Sequence, residues 1–278
     1  MSRSRAVATP TTTARAKADT PTTGLSLSAA GLAIEIDGAR LLDDVDFSAT
    51  PGRVHALIGP NGAGKSTLLA ALAGDRAAAA GTVHLGDTPV ARQSPKTLAR
   101  LRAVLTQEHT VSFPFPVREI IAMGRHPWAG SPAADDDDRE IDAAMAATDV
   151  GHLATRTVPS LSGGERARVA LARIIAQRTP VLLLDEPTAA LDLKHQEDVL
   201  RLARDHAAAG ATVVVVLHDL NLAAAYADDI TLLRLGRVVA TGAPAEVLTA
   251  ERIEAVYGQP VDVVPHPRTG VPLVLPVR

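Results

Sequence analysis

Cysteine is absent from this 278-residue chain. That excludes disulfide staples, thiolate metal sites, iron–sulfur ligation and a cysteine nucleophile, and it fits a reducing compartment. Aromatic residues are scarce, at 2%, which removes the stacking platforms that single-strand nucleic-acid binders use. A charge excess of one sign is missing too: 28 Lys plus Arg face 31 Asp plus Glu, a formal balance of −3. Such a chain offers phosphate backbones no general positive footprint, so nucleic acid is not an expected partner. Long apolar runs are also lacking. The strongest, Thr212 to Leu217, falls far short of the roughly 20 residues that span hydrocarbon. Met1 to Gly24 carries Arg3, Arg5, Arg15 and Lys17 among Ser, Thr, Ala and Pro. It has no apolar centre of a secretory signal and reads as a disordered extension. A soluble, cytoplasmic protein is expected.

What is present suffices for a sizeable core, with 46% hydrophobic residues. Leu25 to Ile36 and Leu41 to Phe47 read as strands around an Asp37-Gly38 turn. Val54 to Ile58 reads as a short buried strand entering a glycine-rich turn, and Ser66 to Leu72 as a helix stopped by Gly74. The middle third is helical and broken by prolines, which marks an insertion from about Leu101 to Pro159. The acidic run Asp135 to Asp138 there reads as a solvated helix start that complements the macrodipole. Val181 to Leu184 and Thr212 to Leu217 then have the β-branched and Leu-rich character of parallel strands buried on both faces. Helical patterns lie at Arg166 to Gln177 and His195 to Ala209. The fold class is therefore α/β with a helical subdomain. Three parts are expected: the extension 1–24, a domain 25–242, and a C-terminal extension 243–278.

Gly59-Pro60-Asn61-Gly62-Ala63-Gly64-Lys65-Ser66, followed by Thr67, matches the glycine-rich phosphate loop in full and sits between strand and helix. Glycines let backbone N–H groups wrap a β-phosphate, and the helix N-terminus adds positive potential. Lys65 reaches the β- and γ-phosphates, and the Ser66 hydroxyl suits Mg²⁺. Val181 to Glu186 supplies the complement, an apolar strand ending in two carboxylates. Asp185 suits Mg²⁺, and Glu186 suits orientation or deprotonation of an attacking water. ATP and Mg²⁺ are the expected ligands.

With these motifs, Leu161-Ser162-Gly163-Gly164-Glu165 resembles the signature of ABC ATPases, and Asp-Glu-Pro-Thr at 185–188 matches the same family. The resemblance covers most of Leu25 to Gly242. It implies a P-loop NTPase core, mostly parallel with an antiparallel β part, plus a helical subdomain. Gln107 in Leu105-Thr106-Gln107-Glu108 matches the glutamine loop, and Ala190-Leu191-Asp192 the loop after the second carboxylate. His218, after the Val-rich strand, matches the switch histidine. The resemblance implies that Ser162, Gly163, Gly164 and Asp192 serve nucleotide held by a second, head-to-tail copy. It also implies that His218 contacts the γ-phosphate and that Gln107 senses Mg²⁺ and the attacking water. Where the family often stacks adenine on an aromatic, this sequence has Ile36.

The stretches Phe115 to Arg125, Leu191 to Gln196 and Leu217 to Ala223, with a tail containing His266-Pro267, are similar to the iron-chelate and cobalamin importers. Within that group they most resemble hemin-import ATP-binding subunits. The resemblance implies an ATPase on the cytoplasmic face of the membrane, docked on two integral membrane permease subunits. An extracytoplasmic heme-binding protein would act only indirectly. Ferric-siderophore or cobalamin import is the alternative, and a soluble scaffold ATPase of the iron–sulfur assembly type is the alternative of another class. None of the nine histidines sits in a metal-type pair. His126, beside Pro127-Trp128, reads as structural or surface.

Overall fold

The computed structural model describes residues 24–106, 114–189 and 191–278. Gln107, Ala190 and the extension expected at the N-terminus, up to residue 23, lie outside the described residues. The chain opens with strands β1 (Leu27–Ile36), β2 (Ala39–Ala49) and β3 (Val54–Ile58). Helix α1 (Lys65–Ala73) follows, then β4 (Ala80–Leu85), β5 (Thr88–Pro89), α2 (Pro95–Leu101) and β6 (Arg102–Leu105). The middle section supplies α3 (Val117–Ala122), α4 (Asp137–Ala147) and α5 (Gly163–Ala176). Strand β7 (Val181–Asp185), helix α6 (Leu193–Ala208), strand β8 (Thr212–Val216) and helix α7 (Leu220–Tyr226) come next. The chain ends with β9 (Asp229–Arg234), β10 (Arg237–Gly242), α8 (Pro244–Val247), α9 (Ala250–Tyr257), β11 (Val261–Pro265) and β12 (Pro272–Pro276).

A six-stranded sheet, ordered β10-β9-β3-β8-β7-β6, forms the centre. Strands β9, β3, β8, β7 and β6 run parallel, and β10 pairs antiparallel at one edge. The continuous apolar runs read from the sequence are explained by the pleat. Val213 and Val215 of β8 face one core together with Leu182 and Leu184 of β7. Val214 and Val216 face the other, with Val181 and Leu183. Period-two alternation thus feeds two cores at once. The second core is closed by the antiparallel sheet β2-β1-β4-β5. Phe47 is buried there, as its sequence context suggests. Gly74 ends α1 in the left-handed region, as its position predicts.

Two boundaries differ from the sequence reading. Arg102–Leu105 pairs with Val181–Leu184 as the edge of the central sheet, so this stretch does not belong to the helical insertion expected from about residue 101. Its four residues are too few for periodicity to distinguish a strand from the end of a helix. Residues 243–278 are also part of the main body. Val247, Ile253, Val256, Val261 and Val274 all join the core that holds Val54.

The acidic run does more than complement the dipole. Asp137 and Asp138 do lie in the first turn of α4. Asp137, however, accepts at 2.7 Å from Arg125, a guanidinium only 4% exposed that also donates to the carbonyls of Ala176 and Ala133. Asp138 and Asp142 pair with Arg118. Trp128 lies against the guanidinium groups of Arg100 and Arg125 and donates to the Gln177 carbonyl, which ties the helical part to α2 and α5.

One buried group gives a pH signature. His55 on β3 is 2% exposed, packs on Phe47 with ring centroids 4.7 Å apart, and bonds Thr231 at 2.8 Å. Burial first, and the Arg53 charge second, push its pKa down to about 4. The unfolded chain therefore binds this proton more tightly than the folded one. Stability from this group is full above about pH 6.5 and falls as pH drops toward 4, by roughly 3 kcal/mol in all. A His55→Asn variant should lose less urea resistance between pH 7 and pH 5 than the parent. Parallel losses in the two proteins would assign the acid sensitivity to other groups.

Candidate functional site

Parallel pairing puts the chemistry at one edge. Register joins Leu57 of β3 to Val216 of β8, and Val216 to Asp185 of β7. The loop after β3, Asp185 at the end of β7 and His218 just beyond β8 therefore emerge side by side at the carboxyl ends of neighbouring strands, where open parallel sheets bind ligands.

The loop from Gly59 to Gly64 depends on its glycines. Gly59 has φ 149°, and a Cβ there would meet the Leu233 carbonyl at 2.3 Å. Gly64 has φ 102°, and a Cβ there would meet Leu42 Cδ2 at 2.8 Å. The turn between β9 and β10 buttresses the loop, with the Gly236 N–H donating to the Ala63 carbonyl at 3.0 Å. Sequence reasoning missed this support, although Leu235-Gly236 is itself a turn signal. Helix α1 has no side-chain cap at its N-terminus. Side chains cap α2, α5, α6, α7 and α9, namely Ser94, Ser162, Asp192, Asp219 and Thr249. The first N–H groups of α1 thus remain available to an anion, with the helix dipole behind them.

A cavity of about 380 Å³ opens over this terminus, lined by Asn61 to Thr67, Glu186 and His218. Lys65 is 5% exposed, and its Nζ donates to the carbonyls of Gly59 at 2.8 Å and Pro60 at 3.0 Å. Burial lowers its pKa, opposed by the charges of Glu186 and Asp185. Asp185, 8% exposed, accepts from Ser66 Oγ at 3.2 Å, and loss of solvent pushes its pKa up. A cation placed there would relieve that cost. The donors are hard oxygens, and among the described residues no cluster of three or more His, Asp or Glu could cage a metal by itself. That composition fits Mg²⁺, which keeps water and phosphate ligands. Ser66 and Asp185 would hold the ion, and when bound it would neutralise phosphate charge.

Glu186 and His218 face the same cavity. His218 Nε2 donates to Glu186 Oε1 at 2.5 Å. The carboxylate side chain is 11% exposed and the imidazole 48%. Glu186 has φ 51°, in the left-handed region that non-glycine residues rarely occupy. Such conformations concentrate at functional sites. The pair can hold and move a proton beside a phosphate.

The remaining site residues lie elsewhere. Ser162 caps α5 reciprocally with Glu165: its hydroxyl accepts from the Glu165 N–H at 3.3 Å, while Glu165 accepts from the Ser162 N–H at 2.7 Å. Gly163 and Gly164 form the first turn of that helix. Asp192 caps α6 and accepts from the His195 N–H and Nδ1. None of these four lines the cavity. His126 is exposed.

Comparison with known proteins gives one pattern. The ABC transporter family model matches residues 42–189, more than half of the 278. A Nocardia farcinica protein named hemin import ATP-binding protein HmuV is 61% identical, over 91% of this chain and 90% of that one. A Halobacterium salinarum protein named cobalamin import ATP-binding protein BtuD is 46% identical, over 91% of this chain and 64% of that one. Among solved structures, a metal-chelate type ABC transporter in an inward-facing conformation superposes with a TM-score of 0.78 at 28% identity, covering 92% of this chain and 98% of that one. A family match of this extent, joined to a relative this similar along most of its length, makes the chain a member of the ABC transporter family.

Proposed function

We propose that this chain is the ATP-hydrolysing subunit of an importer, energising hemin uptake through separate membrane permease subunits. One observation carries the ATPase reading: an uncapped helix N-terminus and Lys65 share a cavity with a carboxylate–imidazole pair. The loop and Lys65 bind the phosphates, Glu186 orients and deprotonates the attacking water, and His218 contacts the γ-phosphate. Gln107 would sense Mg²⁺ and the attacking water, the role that the family resemblance implies. Ser162, Gly163, Gly164 and Asp192 close over nucleotide held by a second copy. Their position away from this chain's own cavity supports a head-to-tail dimer. Once the γ-phosphate leaves, the contact between copies is lost, a switch driven by one phosphate.

No helix among the described residues is long and apolar enough to cross a membrane. In this reading the subunit sits peripherally at the cytoplasmic face, docked on its permease subunits. The helical subdomain, particularly around Gln107 to Trp128, would form the groove for a permease coupling helix. The hemin cargo is supported by the similarity to the Nocardia protein. Reconstitution with its permease in vesicles tests the reading. Hemin should stimulate ATP consumption and accumulate inside, whereas stimulation by a ferric siderophore or cobalamin instead would replace hemin as cargo.

The trans arrangement has its own test. Ser162→Arg places a bulky cation where a partner's phosphate would sit. ATP hydrolysis should fall at least about 100-fold while nucleotide binding to the chain's own loop stays within about twofold. Normal turnover from this variant would remove the signature from the site.

A further inference from the structure

Helix α7 follows His218 directly and spans only seven residues. A helix that short does not hold itself in water, so its position is set by what it packs against. Its own start is capped by Asp219, which accepts from the N–H groups of Asn221 and Leu222. A second fixture comes from the far end of the chain. Asn221 Oδ1 accepts from the Val274 N–H at 2.8 Å, and Asn221 Nδ2 donates to the Val274 carbonyl at 3.3 Å. The side-chain amide thus takes the place of a neighbouring strand on the outer edge of β12. Val274 is itself 6% exposed and sits in the main core.

The same C-terminal unit reaches the phosphate loop. Ile253 and Val256 of α9 are buried, and Arg234 fastens the helix by donating to the Ala255 carbonyl. The hydroxyl of Tyr257 is buried against the backbone of Gly59, the first residue of the loop, without closing a hydrogen bond of normal geometry. One unit, from α9 through β12, therefore touches both the start of the phosphate loop and the helix that follows His218.

We infer that this C-terminal unit is a brace that holds His218 in register with the phosphate loop, and that Asn221 is the positioning residue through which it acts. The inference rests on the proposed role of His218. It assigns function to a segment that none of the nucleotide motifs includes.

The test uses the full chain. Asn221→Leu keeps the branched four-atom shape of the side chain, at a larger volume, and removes both hydrogen bonds. Turnover of ATP should fall about tenfold, with KM for ATP within about twofold and the thermal midpoint within a few degrees of the parent. Amide exchange at Ala223 and Ala227, which close the turns of α7, should quicken about tenfold. Asn221→Asp, which keeps an acceptor for the Val274 N–H, should recover part of the turnover. Unchanged turnover, unchanged exchange, or a loss of turnover matched by equal losses in KM and thermal midpoint would each overturn the brace. His218→Ala run in parallel separates the two readings. Full turnover from that variant would remove the histidine's role and leave the exchange result standing.

Discussion

Lys65→Ala is expected to weaken ATP binding at least about 100-fold, equivalent to roughly 2.7 kcal/mol. Lys65 is 5% exposed and burial lowers its pKa, so part of the cost of placing a charge in the cavity is met before nucleotide arrives. Its present partners are two loop carbonyls, Gly59 and Pro60. Exchanging neutral acceptors for charged phosphate oxygens is favourable, since charge-assisted hydrogen bonds contribute about 1.5–3 kcal/mol each. The alanine variant loses that gain but keeps the glycine turns and the open start of α1. A residual, weakened affinity is therefore expected rather than none. Titration with a fluorescent ATP analogue checks this, and parent-like affinity would reject the phosphate-loop assignment.

Glu186→Gln should act on the other half of the reaction. Hydrolysis is expected to drop by about 10²–10⁴, the usual contribution of a positioned general base, while ATP binding is retained. Glutamine matches glutamate in size, and its Oε1 can still accept from His218. The strained backbone at φ 51° is unchanged in kind. The variant therefore removes basicity with little else. Because the γ-phosphate persists, ATP-bound dimers should accumulate and be visible by sedimentation. Near-parent turnover would take Glu186 out of the base role.

Much of the fold was legible because a few strong local signals happened to coincide with tertiary neighbours. Val181 to Leu184 is apolar on both faces, and Val54 to Ile58 is buried on both with His55 as its one polar member, a pattern that a sheet covered on both sides requires. Register then places Gly59, Asp185 and His218 together without further information. What escaped the sequence was held by long-range contact. Nothing local marks Asn221 as a partner of Val274, 53 residues on, or Tyr257 as a neighbour of Gly59. The edge strand Arg102–Leu105 has too few residues to declare a period, and it is fixed by pairing with β7. Asp137 looked like one solvated acid among four, and only the buried Arg125 distinguishes it.

The dimer is the centre of this account, and the absence of cysteine makes it directly accessible. Asn61→Cys places one thiol on the rim of the phosphate cavity. Gly163→Cys places another at the start of α5, where an added Cβ meets nothing within 4 Å. Each change is made separately in the Glu186→Gln background, and the two chains are mixed under mild oxidation. A disulfide joining the two different chains is expected to form with ATP and Mg²⁺ and not without nucleotide. Two variants that both bind ATP yet show no nucleotide-dependent linkage would contradict the dimer.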